Sequence, residues 1–228
     1  MTQQIATVHG RQRLVCAPIV IERVSELMIG IIDYDAGNIR SVEKALVFLK
    51  QEVTVTSDPD ILLAADKVIL PGVGNFGDAA GNLRRYGLEP VIHRILEKGT
   101  PFLGICVGLQ LLFEESEESP DVPGLGILKG RIRRIPAASG LKIPHMGWNS
   151  LLPAPRGRLF AGLGTEPFVY FVHSYYLDAA DKGIVTAQAE YGTTIDAAVE
   201  CGNLFACQFH PEKSGAVGLR LLQNFAEL

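Results

Sequence analysis

With 228 residues, 47% of them hydrophobic and 20% charged, the chain can bury one sizeable core, and its length suits a single domain or at most two small ones. A formal net charge of −4 leaves no basic footprint for nucleic acid, and no apolar run approaches the roughly 18 residues that span a bilayer. The four cysteines, Cys16, Cys106, Cys201 and Cys207, include no CxxC pair and are too few for a disulfide framework, which points to a reducing compartment and away from zinc.

Residues 1–27 read as an extension outside the functional domain. Their apolar run, Leu14 to Ile21, is broken by Pro18 and followed by charged residues with no small-x-small cleavage site, so a signal peptide is not expected. The domain is read as 28–228, because Met28 to Asp33 is the first core-strand signal. After a turn at Tyr34 to Asn38, Val42, Ala45, Leu46 and Leu49 line one helix face, and Val53 to Thr56 follows as a β-branched strand. Lys67 to Leu70 repeats the strand signal. It runs into Pro71-Gly72-Val73-Gly74, a glycine-rich turn with no lysine after it and therefore no P-loop.

Two helices, about Gly77–Arg85 and Glu89–Glu97, lead to a short apolar strand from Pro101 to Ile105 and a further helix with Leu109, Leu112 and Phe113 on one face. The alternation predicts a doubly wound α/β sheet, mostly parallel, whose ligand crevice lies at the carboxyl ends of its strands. Glu114 to Glu118 reads as a solvated helix end and loop. The second half carries short alternating runs at 131–135, 168–172, 184–189 and 204–209, which suggest an antiparallel extension and a mixed sheet. A helix from Ser214 closes the chain.

Cys106 stands at a strand-to-helix joint between Gly104 and Gly108. Glycine weakens strand and helix alike, so two of them bracketing one cysteine suggest a crowded elbow that exposes a nucleophile above the sheet edge; inert core packing is the alternative for any buried thiol. A thiol nucleophile needs a base and the base an orienting group. His9 falls in the extension and His93 in an amphipathic helix. Among His145, His173 and His210, only His210 has a carboxylate two residues on, Glu212, in a segment that Pro211 keeps extended; a chance ion pair in an exposed turn remains the other reading.

Gly104-Ile105-Cys106-Val107-Gly108-Leu109-Gln110 and Gln208-Phe209-His210-Pro211-Glu212 resemble the nucleophile elbow and His-Pro-Glu element of the class I, triad-type glutamine amidotransferases. Further motifs resemble, more narrowly, the glutaminase subunits of imidazole glycerol phosphate synthase. These are Asp33-Tyr34 with Gly37 to Val42, Pro71 to Gly74, His145-Met146-Gly147-Trp148-Asn149, Phe171 to Tyr176, and Pro211-Glu212-Lys213-Ser214. The departures are Val107 and Leu109 in the elbow and residues 1–27, which match nothing in that family.

The resemblance implies the amidotransferase fold and glutamine hydrolysis in histidine biosynthesis. Cys106, His210 and Glu212 would form the triad, and the N–H groups of Val73 and Val107 the oxyanion hole. Gly72, Gln110, His173, Ser174 and Tyr175 would contact glutamine. Tyr34, Asn38, Trp148, Asn149 and Lys213 would face a (β/α)8-barrel cyclase that receives the ammonia. No cofactor or metal is implied, and the compartment would be the cytoplasm. The rival readings are an amidotransferase subunit for another acceptor, such as anthranilate or pyridoxal phosphate, and a silent amidotransferase-like binding module.

Overall fold

The computed structural model describes residues 27–35, 37–137 and 140–228. All but the last residue of the expected extension at 1–27 therefore lies outside the described residues. In chain order the first half runs β1 (Met28–Ile32), α1 (Ile39–Phe48), β2 (Glu52–Thr56), α2 (Pro59–Ala64), β3 (Lys67–Leu70), α3 (Phe76–Arg85), α4 (Glu89–Glu97), β4 (Phe102–Ile105) and α5 (Val107–Gln110). The second half runs β5 (Glu115–Ser116), β6 (Gly130–Arg134), β7 (His145–Ser150), β8 (Leu152–Pro153), β9 (Phe168–His173), β10 (Tyr175–Ala179), β11 (Val185–Glu190), β12 (Thr194–Cys201), β13 (Leu204–Cys207) and α6 (Gly215–Ala226).

Eight strands form the central sheet in the order β2-β1-β3-β4-β13-β12-β11-β8. The pairings from β2 to β13 are parallel, and β12, β11 and β8 continue the sheet antiparallel. β3 and β4 are buried at every residue, as a central strand covered on both faces requires, and both read as unbroken apolar runs apart from Lys67 and Gly104. The mixed, mostly parallel sheet is the one the alternation predicts.

Two expectations need correction. The runs at 131–135 and 168–172 are not an extension of the central sheet: β6 joins a three-stranded sheet with β10 and β5, and β9 pairs only with β7. The strand at 204–207 is antiparallel to β12, as expected, across the short turn at Gly202 and Asn203, and its other edge pairs parallel with β4, so it joins the two halves of the sheet. Local alternation reports one buried face and is silent on which neighbour a strand takes. The acidic run is also not a helix end. Ser116 is buried in β5, and Glu115 and Glu117 pair with Arg131 and Arg133 of β6.

Candidate functional site

β4 ends at Ile105 in the middle of the sheet, and the chain turns sharply there. Cys106 has φ 55° and ψ −109°, a backbone state that costs a residue with a Cβ about 1–3 kcal/mol and persists only where the surroundings enforce it. They do so through the two glycines. A Cβ on Gly108 would lie 1.9 Å from the Leu70 carbonyl oxygen, and one on Gly104 would lie 2.7 Å from the Gly108 carbonyl oxygen, so the elbow closes only without those side chains. The Cys106 N–H is tied to the Cys207 carbonyl at 2.8 Å, which fixes the elbow to β13 as well. The helix that follows is shorter than expected, a single turn from Val107 to Gln110.

β13 places His210 beside this elbow. The His210 N–H donates to the Tyr170 carbonyl at 3.0 Å, and its own carbonyl accepts from the Ser214 hydroxyl at 2.6 Å, so the backbone is clamped between β9 and the start of α6. Its ring Nδ1 is 2.8 Å from Glu212 Oε1, and both side chains are almost wholly buried. The segment is not extended as expected: Pro211, its φ suited to a first helical position, opens a one-turn 3-10 segment, Pro211–Lys213, which turns Glu212 back under the imidazole. The same Oε1 accepts from Asn38 Nδ2, while Oε2 has no partner among the described residues, so the carboxylate is held through one oxygen. Burial lowers the affinity of His210 for a proton. The hydrogen bonds to Cys106 and then Glu212, with their negative charges, outweigh it and push the imidazole up to about 9.

These groups open on a cavity of about 410 Å³ at the carboxyl ends of the strands, lined by Cys106, His210, Val73, Val107, Gln110 and Tyr175 among others. His173 and Ser174 also line it, with Asn38 and Lys213 at its edge. Of the expected contacts, Gln110, His173, Ser174 and Tyr175 are therefore brought together and Gly72 is not among the lining residues, and not all of the four act through free side chains. His173 Nδ1 is 2.8 Å from the Tyr175 carbonyl, an acceptor only, so Nδ1 carries the hydrogen. Nε2 then accepts from His145 Nδ1 at 3.0 Å. Burial holds His145 down to about 4 and His173 to about 3, so both are neutral at physiological pH. They buttress the wall and offer glutamine no ring donor.

The Pro71–Gly74 turn follows β3 and crosses above the elbow. Here the Gly72 carbonyl accepts the Val107 N–H at 3.3 Å. In a trans peptide the N–H opposes the carbonyl, so the Val73 N–H points away from the Cys106 side. In this conformation neither expected oxyanion donor is available. Tyr34 corrects another expectation. It is fully buried, and its hydroxyl donates to the Pro71 carbonyl at 2.7 Å, so it braces this turn from beneath instead of facing a partner.

The other expected interface residues lie nearer the surface. Trp148 is 56% exposed on β7, and the β7–β9 register puts Met146, Trp148 and Ser150 on one face opposite Val172, Tyr170 and Phe168. Met146 and Phe168 are likewise exposed, which makes this two-stranded sheet an apolar shelf beside the cavity mouth. Lys213 is exposed at that mouth, whereas the Asn149 side chain donates to the Glu190 carbonyl.

Sequence reasoning missed Glu118, which it left in a solvated run. Glu118 lines the cavity, with Oε2 accepting from the Phe76 N–H at 2.7 Å. The available signal was Ser116, a small residue inside an acidic run where a strand could be covered. Among the described residues no group of three or more His, Cys, Asp or Glu side chains could hold a metal ion, and no helix is long and apolar enough to cross a membrane.

The description "Glutamine amidotransferase class-I" is that of the family matching residues 30–228. A protein of Thermosynechococcus vestitus, "Imidazole glycerol phosphate synthase subunit HisH", is 52% identical over 202 residues, covering 88% of this chain and 96% of the relative. One of Methanococcus maripaludis, "Imidazole glycerol phosphate synthase subunit HisH 1", is 46% identical over 205 residues, covering 88% and 100%. Among solved structures, a "glutamine amidotransferase" superposes with a TM-score of 0.69 at 25% identity, covering 87% of this chain and 97% of that one.

Proposed function

We propose, from the premise that this chain belongs to the class-I glutamine amidotransferases, that it is the glutaminase subunit of an imidazole glycerol phosphate synthase and supplies ammonia for histidine biosynthesis. The observation that carries the chemistry is the line from the strained Cys106 through His210 to the buried Glu212, opening on one cavity. The identity and coverage of the HisH relatives carry the choice of acceptor over anthranilate or pyridoxal phosphate.

In this reading Glu212 holds the imidazole by Nδ1, and Nε2 takes the Cys106 proton. The sulfur attacks the side-chain amide carbon of glutamine. Val107 and Val73 N–H groups receive the oxyanion once the Gly72–Val73 peptide has turned over. His210 gives its proton to the amide nitrogen, ammonia leaves, and a γ-glutamyl thioester remains. Water, losing a proton to His210, then cleaves the thioester, releasing glutamate and restoring the thiol. Glu118 supplies a carboxylate for the substrate ammonium, and Gln110 with the Ser174-Tyr175 backbone holds the rest of glutamine.

The partner is a (β/α)8-barrel cyclase, docked on the shelf of Met146, Trp148 and Phe168 with Asn38 and Lys213 at the mouth. The functional domain is 28–228, and the setting is the cytoplasm. Co-purification with the cyclase, followed by glutaminase assays with and without the cyclase nucleotide, tests the reading. No association and no glutamine-dependent synthesis would overturn it.

A further inference from the structure

One buried side chain touches the sulfur and has no part in the scheme above. Gln208, at the end of β13, is 0% exposed, and its Nε2 is 3.7 Å from Cys106 Sγ. Which end of this amide faces the sulfur is set by a chain of hydrogen bonds. The Tyr175 carbonyl can only accept, and it takes a hydrogen from Gln110 Nε2 at 3.2 Å. The same Gln110 Nε2 donates to Gln208 Oε1 at 3.0 Å. With its oxygen committed to Gln110, Gln208 must turn its N–H2 toward Cys106. The backbone is pinned too, since the Gln208 N–H donates to the Ala197 carbonyl at 2.9 Å.

We propose that Gln208 is a further catalytic residue of this centre: its side-chain N–H holds the Cys106 sulfur as thiolate and aligns it with Gln110, which grips the substrate. This rests on the glutaminase reading. A hydrogen bond donated to the charged form favours that form, and a primary amide fixed at both ends does so without rearranging when the charge appears. The proton of Cys106 still passes to His210 Nε2, and no bond to Gln208 is made or broken. The other ionisable groups around the sulfur are His210 with Glu212 behind it, Tyr34 from beneath the turn, Cys207 on β13, whose thiol burial pushes up, and His173, Glu118 and Lys213 on the walls of the same cavity. A substitution at Gln208 leaves all of these in place.

The test is alkylation of the full-length chain by iodoacetamide across the pH range of thiol ionisation, quantified at Cys106 by peptide mass spectrometry. Exposed Cys201 serves as reference within each sample. In Gln208→Met the Cys106 profile should move to higher pH, with alkylation about tenfold slower near pH 7, while Cys201 is unchanged. An unmoved Cys106 profile in the folded variant overturns the proposal. Should that variant fail to fold, nitrogen-15 NMR of the wild-type chain decides: the Gln208 side-chain amide must shift with the midpoint of the alkylation profile, and an invariant signal overturns the proposal. Glutamine-protected labelling of wild-type Cys106 by a γ-diazoketone analogue of glutamine checks the glutaminase reading separately. Loss of that labelling condemns the reading, and its presence beside an unmoved Gln208→Met profile condemns only this inference.

Discussion

The carbonyl of Gly72 accepts the N–H of Val107 at 3.3 Å, so the residue after the nucleophile has its donor occupied by the turn expected to supply the second one. Losing one oxyanion donor costs on the order of 10²–10³ in rate. The isolated chain should therefore hydrolyse glutamine slowly, and the complex with nucleotide-loaded cyclase should do so at least about 10²-fold faster, read as glutamate release. A partner able to favour the turned-over peptide must interact differently with the two states. An isolated chain as fast as the loaded complex would remove the Gly72 carbonyl as the control point.

Tyr34 holds that turn through the Pro71 carbonyl at 2.7 Å. In Tyr34→Phe a buried acceptor loses its partner, at a cost of about 1–3 kcal/mol, and the turn loses its anchor. The variant should melt several degrees lower and show higher glutaminase activity without the partner. Lower stability with unaltered basal activity would make Tyr34 a packing residue alone.

Cys106→Ser should abolish glutamine hydrolysis while leaving the fold intact, since oxygen replaces sulfur without adding volume to the elbow. Synthesis in the complex driven by added ammonium salt should persist. Near-wild-type glutamine turnover in this variant would place the nucleophile elsewhere.

Burial keeps His145 and His173 neutral down to about 4 and about 3, whereas an unfolded histidine charges near 6.5. Below about pH 6.5 the unfolded chain binds more protons, and each histidine subtracts about 1.4 kcal/mol of stability per pH unit until its folded value is reached. His145→Gln retains a donor toward His173 and should flatten this acid slope in denaturant titrations run at a series of pH values. Parallel slopes for variant and wild type would exclude His145 as the source.

Trp148 lies exposed on β7 with its ring edge-on to Tyr170 at 6.0 Å, already ordered for a contact. Trp148→Ala should weaken cyclase binding by about 2 kcal/mol, roughly thirtyfold, measured by calorimetry. Equal affinity would move the interface off the β7–β9 shelf.

What the sequence made legible follows from where short-range physics decides. Gly104, Cys106 and Gly108 could be read as an elbow because a steric demand on the backbone shows in adjacent residues, and His210 with Glu212 because a base and a carboxylate two residues apart can meet locally, although a tight turn and not extended chain brings them together. Tyr34 could not be read as buried: its partner, the Pro71 carbonyl, is 37 residues away, and a polar aromatic beside a turn looks the same in a core or on a surface. Glu118 was hidden by its acidic neighbours, because charge density in a sequence cannot distinguish four carboxylates in water from one turned inward. The placement of β6 and β9 depended on pairings made only once the whole chain has collapsed.

The contact of Gly108 with the Leu70 carbonyl joins the ends of two neighbouring strands at a single point. Leu70 is the last residue of β3, one step before the oxyanion turn, and Gly108 lies two residues after the nucleophile. Sulfur and anion cradle thus share one reference point and move together when the sheet flexes. Twisting or breathing of the outer strands can shift the pair as a body without changing the gap between them. A bulkier residue at position 108 would wedge that gap apart, and reactivity would be lost while the rest of the sheet kept its register.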